Sequence, residues 1–387
     1  MKRVFILFFW LCLLTAAAQT LELHFIDVGQ GDAVFIRAPG GQGVLYDGGR
    51  RTKVVLEYLQ AIGVTRVDLI VASHPDADHI AGLIAVVSAY RPRLFMDNGL
   101  PHTTQTYFDL LNVVEAAGSQ LLEPNRRRIA LGDVIIEVLP PPGIAGMGNN
   151  DNSVGLVIEY GDFRAALTGD AEAPEFAWWL DNVPELLSEV DVYKSSHHGS
   201  RNGDGPANLI RFRPQTVLIG VGEGNSYNHP TDRALRLYRA IGADIYRTDL
   251  NGTVVIEAWA DGSYTVTPER GEAFVPVPAT EVKLERDPEQ RLEVTCILYN
   301  PEGRDAGRET VTVTALDDVD TTGWYLEDER GGRLELPATT LAFTDTLSVT
   351  APGTLWNNSG DTASLFDPAG ELVSVFSYGG GGRLACR

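Results

Sequence analysis

Residues 67–79, VDLIVASHPDADH, constrain this chain more than any other stretch. VDLIVA has the length and character of a buried strand. Directly after it, His74, Asp76, Asp78 and His79 fall within six positions. Open α/β sheets present their sites just beyond the carboxyl ends of strands. The stretch therefore asks for a fold that buries one strand and opens its end onto a polar cluster. His74 and Asp76, two apart in an extended loop, can point to one side, and Asp78 and His79 open the next helix. Imidazole and carboxylate together suit Zn, Mn or Fe, and the spacing can feed two ions. A polar surface loop is the alternative.

The flanking sequence alternates strands with helices. LELHFIDV and AVFIRA, split by the turn GQGD, and then VLYDGG read as a meander. TKVVLEYLQAIGV has helical spacing and stops at Gly63. IAGLIAVVSAY, closed by Arg91-Pro92, and TYFDLLNVVEAAG are further helices. A second series repeats the order. DVIIEVL, SVGLVIEYG and FRAALTGD are strands, EFAWWLDNV a helix, DVYKSSHHGS and TVLIGVGEGN strands running into loops, TDRALRLYRAIG a helix and TVVIEAW a strand. Two such series predict a layered α/β sandwich built from two halves. After Tyr264 the texture changes. Residues 269–280 are rich in proline and charge and read as a linker. From 281 to 387, LEVTCILYN, TVTVTAL, WYLED, LSVTA, ASLFD and LVSVFSY are short strands between turns, which predicts a small all-β sandwich.

A two-ion site draws ligands from several strands. Asp170 in LTGD, His197 and His198 in SSHHGS, and Asn225 and His229 in NSYNHP each follow an apolar strand. His24 reads as a partly buried strand residue and His102 as an exposed one. Arg126-Arg127-Arg128 reads as a solvated loop rather than a substrate contact.

His74-x-Asp76-x-Asp78-His79 resembles the signature of the metallo-β-lactamase superfamily, with aspartate where the second histidine of HxHxDH usually stands. Together with DVGQGDA, DNSVGL, LTGDAE, HHGS and NSYNHP, it resembles the hydrolase domain of ComEC-type competence proteins over residues 21–268. The resemblance implies an αββα sandwich and two divalent ions, Zn or Mn. It implies that His74 and Asp76 hold one ion, that Asp78, His79 and one of His197 and His198 (His198 being preferred) hold the other, and that Asp170 bridges. Asp47 in YDGG would orient the site from behind. Where the superfamily often has another metal histidine, this chain has Asn152 and Ser153, which leaves the first ion with a more oxygen-rich set. Lys194, Ser200, Asn225 and His229 match positions suited to phosphate contact. Water activated at the ions would attack phosphorus, His229 would steady the developing charge, and Asp78 would take a proton.

The last hundred residues resemble a lamin-tail domain, an immunoglobulin-like sandwich, through TGWYLEDERGGRLELP, LSVTAPG, WNNSGDTASLFDPAG and LVSVFSY. Trp324 and Trp356 are expected in its core. The resemblance suggests attachment to DNA, cell envelope or partners. Residues 281–387 carry 19 Asp and Glu against 9 Lys and Arg, which opposes direct DNA grip by this part. The whole chain, at net charge −21, opposes nonspecific adhesion to nucleic acid as well. At the other end, MKRVFILFFWLCLLTAAAQT has a basic start, an apolar stretch too short to span a bilayer, and small residues before Gln19. It predicts a signal peptide over residues 1–18 and a secreted or extracytoplasmic protein with no transmembrane segment after cleavage; a retained anchor helix is the alternative. Cleavage removes Cys12 and leaves Cys296 and Cys386, which an exported chain can join as one disulfide. The combined reading is an exported metal-dependent phosphodiesterase acting on DNA. Its alternatives are a metallohydrolase of non-nucleic phosphodiesters, such as phosphorylcholine on wall polymers, and a non-catalytic surface-binding module on a degenerate hydrolase fold.

Overall fold

Strands that are apolar on both faces need cover on both sides. Gly43–Tyr46, Leu69–Val71, Val192–Lys194 and Thr216–Ile219 are buried at every residue. The computed structural model, described for residues 20–144, 146–271, 291–301, 307–316, 318–328, 330–342, 345–357, 360–370, 372–379 and 384–386, gives them that cover as four layers. One sheet has the order Tyr264–Pro268, Val254–Ala258, Leu21–Phe25, Val34–Arg37, Gly43–Tyr46, Leu69–Val71, Leu94–Met96, Gln120–Leu122. The other runs Asp244–Arg247, Thr216–Ile219, Val192–Lys194, Phe163–Leu167, Gly155–Tyr160, Val134–Leu139, Arg128–Leu131. Leu21, Leu23, Val34, Ile36, Val44 and Tyr46 of the first meet Ile136, Val138, Leu156, Ile158, Ala165 and Leu167 of the second in one inner core. Val55, Leu59, Val87 and Leu110 bring helices onto the outside of the first sheet, and Phe176, Trp179, Phe212 and Tyr238 do so on the second.

Within each sheet the half nearest the site is parallel: Gly43–Tyr46 through Gln120–Leu122 in one, Phe163–Leu167 through Asp244–Arg247 in the other. The loops that follow these strands therefore gather on one edge of the sandwich. The two halves are not closed units. Val254–Ala258 returns to the first sheet beside Leu21–Phe25, with Leu21 opposite Ala258, Leu23 opposite Ile256 and Phe25 opposite Val254. The strands Gln120–Leu122 and Asp244–Arg247 and the helix Pro206–Phe212 were not separated from their neighbours by sequence pattern, being short and weakly alternating.

Residues 269–271, expected to begin the linker, still belong to the first unit: Glu269 N–H donates to Thr253 O at 2.8 Å, and the Arg270 guanidinium meets Asp27. The remainder of the expected linker and the expected signal peptide, with Cys12, lie outside the described residues. Among the described residues no helix is long and apolar enough to cross a membrane. The C-terminal region is all-β. Thr346–Thr350, Thr310–Ala315, Leu292–Leu298 and Leu384–Cys386 form one antiparallel sheet, Arg333–Glu335, Tyr325–Glu327, Gly360–Phe366 and Leu372–Gly379 another. Trp324 and Trp356 are buried between them with Leu292, Val294, Leu326 and Leu365. Cys296 stands opposite Cys386 in register, and their sulfurs are joined at 2.07 Å.

Candidate metal centre

The site begins at Asp47, after the strand Gly43–Tyr46. Its backbone is left-handed, φ 57°, and its side chain is fully buried. It accepts Ser73 N–H and Ser73 Oγ–H, both at 2.7 Å, and His79 Nδ1–H at 2.8 Å. Because Ser73 gives its hydroxyl proton to Asp47, its oxygen is free to accept Nδ1–H of His74 at 3.0 Å. One carboxylate thus fixes the tautomer of two histidines, leaving the Nε2 lone pair of each facing forward.

The second pair comes from the turn after Val192–Lys194. His197 and His198 are both left-handed, at φ 46° and 56°. Consecutive non-glycine residues in that region are strained and persist only where the surroundings hold them. His198 Nδ1–H donates to Gly220 O at 2.8 Å, and His197 Nδ1 meets Glu172 Oε1 at 3.0 Å. Again the Nε2 atoms face inward.

All four converge on one atom. Asp170 Oδ2 lies 3.2 Å from His79 Nε2, 3.3 Å from His198 Nε2, 3.9 Å from His197 Nε2 and 4.0 Å from His74 Nε2. Asp170 reaches this point because Gly169, at φ +56°, passes so close to Ser73 that an added Cβ would stand 2.8 Å from Ser73 Cβ. Yet His74 Nε2 and His198 Nε2, both buried, have no hydrogen-bond partner. Imidazole nitrogens aimed at a shared carboxylate suit a divalent cation. Without one, protons substitute. Burial depresses His79 and His198, but Asp170 with Asp47 for the first, and Asp170 with Asp32 for the second, carry both above the ordinary imidazole range. Burial, then the neighbouring His79, holds His74 well below it. Burial raises Asp170, and His198 and His79 outweigh that and hold it well below the usual carboxylate range. Protons on His79 and His198 must leave when an ion enters.

One candidate ligand was not foreseen. Asp32, Asp170, His79 and His198, all buried, each offer an atom within 4.8 Å of the others. Asp32 comes from the GQGD turn. Gly31, at φ +128°, lies against Asp78 so tightly that a Cβ would sit 2.2 Å from Asp78 O. An acid flanked by glycine after a strand was the available signal. Asp32 stands in this group where Asp78 was expected. Asp78 is partly exposed at the rim, its Oδ2 3.9 Å from His198 Nε2. Asp76 lies on the other side, its Oδ2 3.8 Å from His74 Nε2 and its Oδ1 bonded by Asn149 at 2.8 Å.

The residues expected to contact phosphate are mostly engaged with the chain itself. Lys194 is buried, its ammonium ion-paired with Asp32, 3.5 Å from Asp170 Oδ1 and donating to Gly169 O at 2.6 Å. It balances the carboxylates, and Asp32 and Asp170 raise it against the pull of burial. Ser200 is buried and bonded to Asn202. Asn225 spends its amide within its own loop, donating to Gly222 O and His229 O and accepting from Tyr227 and His229 N–H. His229 does face the centre, its ring 5.6 Å from that of His197 and 6.4 Å from that of His198. Burial, then His197 and His198, lowers it to about 4. Asn152 and Ser153 close their loop: Asn152 Oδ1 accepts Ile144 N–H, and Ser153 Oγ accepts Asp170 N–H. From that loop Asn149 and Asn150, which drew no notice in the sequence, bond Asp76 and Glu172.

The sequence profile described as "Metallo-beta-lactamase superfamily" matches residues 26–221. The chain belongs to this superfamily. Its curated relatives are competence and recombination proteins. ComE operon protein 3 of Bacillus subtilis is 28% identical over 272 residues, 65% of this chain and 34% of that protein. Recombination protein 2 of Haemophilus influenzae is 25% identical over 62% of this chain and 29% of its own, and competence protein ComA of Neisseria gonorrhoeae 26% over 59% and 31%. The chain spans about a third of the length of these relatives. The likeness to the ComEC-type branch therefore holds over the hydrolase half, where the αββα layers and the convergent histidines lie.

Proposed function

We propose that this superfamily hydrolase is an exported phosphodiesterase that cleaves nucleic acid. The observation that carries the reading is the ring of four imidazole Nε2 atoms within 4.0 Å of Asp170 Oδ2. In this reading Asp32, His79 and His198 would hold one divalent ion and His74 and Asp76 a second, with His197 and Asp170 available beside them; Zn and Mn both suit the mixed nitrogen and oxygen set. Bound divalent ions supply Lewis acidity and make water acidic enough to attack at neutral pH. The protein does the rest. Asp47 and Gly220 O hold Nδ1–H of His79 and His198, so that Nε2 of each is the atom presented to an ion. Asp78, at the rim, takes the proton released by the attacking water. His229, neutral at pH 7, donates a ring N–H to a phosphoryl oxygen without adding charge of its own. Nucleic acid as the substrate draws support from the likeness to competence and recombination proteins. The acidity of the chain, net −21, favours a second reading, a phosphodiester of lower charge density such as a choline phosphate ester. The C-terminal sandwich is read as a lamin-tail domain serving attachment to envelope or partners.

Purified chain loaded with Zn or Mn is to be tested on single-stranded DNA, duplex DNA, bis-p-nitrophenyl phosphate and a choline phosphodiester. Metal-dependent DNA cleavage, lost in Asp170→Asn, is expected. Cleavage of the choline ester alone moves the assignment to the second reading. Tight metal binding with no hydrolysis of any of the four would leave a binding module and overturn the enzyme reading.

A further inference from the structure

The strained turn His197–His198 is held from three sides. His197 N–H donates to Gly169 O at 3.2 Å. Asp204, buried, accepts Ser196 N–H at 3.0 Å and Tyr193 O–H at 2.6 Å. The third side is the start of the helix Asp232–Ala240. Thr231 N–H and Oγ–H both donate to Gly199 O, and one nitrogen of Arg233 donates to Arg201 O and Asp204 O, each at 2.9 Å. The carboxylate that balances Arg233 comes from elsewhere. Glu293, on the first strand of the C-terminal sandwich, meets Arg233 Nη2 at 2.6 Å, and its side chain is 3% exposed. A buried ion pair of this kind is strongly disturbed when one partner loses its charge.

We infer that Glu293 is a positioning residue for the metal centre: through Arg233 the C-terminal sandwich clamps residues 199–204 and so holds His197 and His198 in place. The sandwich then supports the hydrolase in addition to any attachment it serves. The inference rests on the metal-centre reading above, since it takes His198 as a ligand.

The test uses the full chain carrying Glu293→Gln, which keeps the shape and removes the charge. Two readouts are taken: amide hydrogen exchange across residues 195–205, and zinc affinity by chelator competition. Expected are exchange faster by about tenfold in that segment and a zinc Kd raised about tenfold, as for loss of an outer-shell support. Glu335→Gln, an exposed acid of the same sandwich paired with Arg333, is expected to change neither. Wild-type chain that binds no zinc overturns the metal-centre reading. Wild type that binds zinc while Glu293→Gln matches it in both readouts, or loosens only residues 291–298, overturns the clamp alone. Should Glu293→Gln not accumulate folded, Arg233→Lys, which keeps the charge but loses the forked donors, is judged by the same two readouts and the same outcomes.

Discussion

Asp47→Asn isolates what the buried carboxylate does. Asp47 accepts three hydrogen bonds, from Ser73 N–H, Ser73 Oγ–H and His79 Nδ1–H. Asparagine offers one accepting oxygen and one NH2 of the same size. If the oxygen keeps Ser73 N–H, the NH2 faces Ser73 Oγ and His79 Nδ1. Nδ1 must then accept, which moves the ring proton to Nε2, the atom aimed at Asp170. Ser73 Oγ, accepting from that NH2, keeps a lone pair for His74 Nδ1–H, so the loss falls on His79 alone. Loss of such an outer partner costs about 10- to 100-fold in metal affinity, and the lower end is expected because one ligand is affected. Stability of the metal-free fold responds differently. One mismatched donor costs about 1–3 kcal/mol, but burial is the largest influence on Asp47 and pushes its pKa up despite His79, so removing that charge offsets part of the loss. A drop of a few degrees in Tm, measured in EDTA, is expected. Zinc affinity by chelator competition and melts with and without EDTA measure both sides. An affinity within about twofold of wild type would refute the tautomer argument, and a collapse of the metal-free fold would show Asp47 to be structural first.

Lys194→Met removes the ammonium from the buried Asp32 and Asp170, leaving His79 and His198 to balance them. A loss of about 3–5 kcal/mol is expected, seen as a Tm lower by roughly 10 °C in EDTA; an unchanged Tm with a raised KM would restore Lys194 as a substrate contact. Glu175 is buried with Oε1 unpartnered, and burial first, then Asp151 and Glu172, holds its carboxyl well above the usual range. Above the unfolded value of about 4.3, the unfolded chain releases a proton that the folded chain keeps, so this group erodes stability as pH rises toward its folded value. Glu175→Gln is expected to melt above wild type at pH 8, with the gap closing by about pH 4; a constant gap across that range would mean Glu175 does not titrate between the two states.

Much of the centre was legible because strand ends are. His74, His79, Asp170 and His198 each follow an apolar run in a parallel half-sheet, and such positions leave a side chain little choice of direction. Asp32 was missed because GQGD reads first as a hairpin turn. Only the contact of Gly31 with Asp78 O turns its acid inward, and that contact joins segments nearly fifty residues apart. The burial of Lys194 was not legible for the opposite reason. Its charge suggested an anion, but it is the last residue of a strand flanked on both sides, opposite Leu167 and Leu218, and a lysine there is buried and must be paired. The coupling of Arg233 to Glu293 lies in neither motif, since each residue is an ordinary charge in its own segment.

The placement of Lys194 changes how substrate binding must work. Its ammonium is committed to Asp32 and Asp170, while Asp76, Asp78 and Glu172 line the approach. A phosphodiester anion about 4 Å from one such carboxylate meets a repulsion of about 4 kcal/mol at an effective dielectric of 20. Nor does His229 supply a cation, being neutral at physiological pH. Neither Lys194 nor His229 reverses the sign of the field at the mouth of the site. On the phosphodiesterase reading, affinity for a phosphate ester is therefore expected to depend on the same divalent charge as the chemistry.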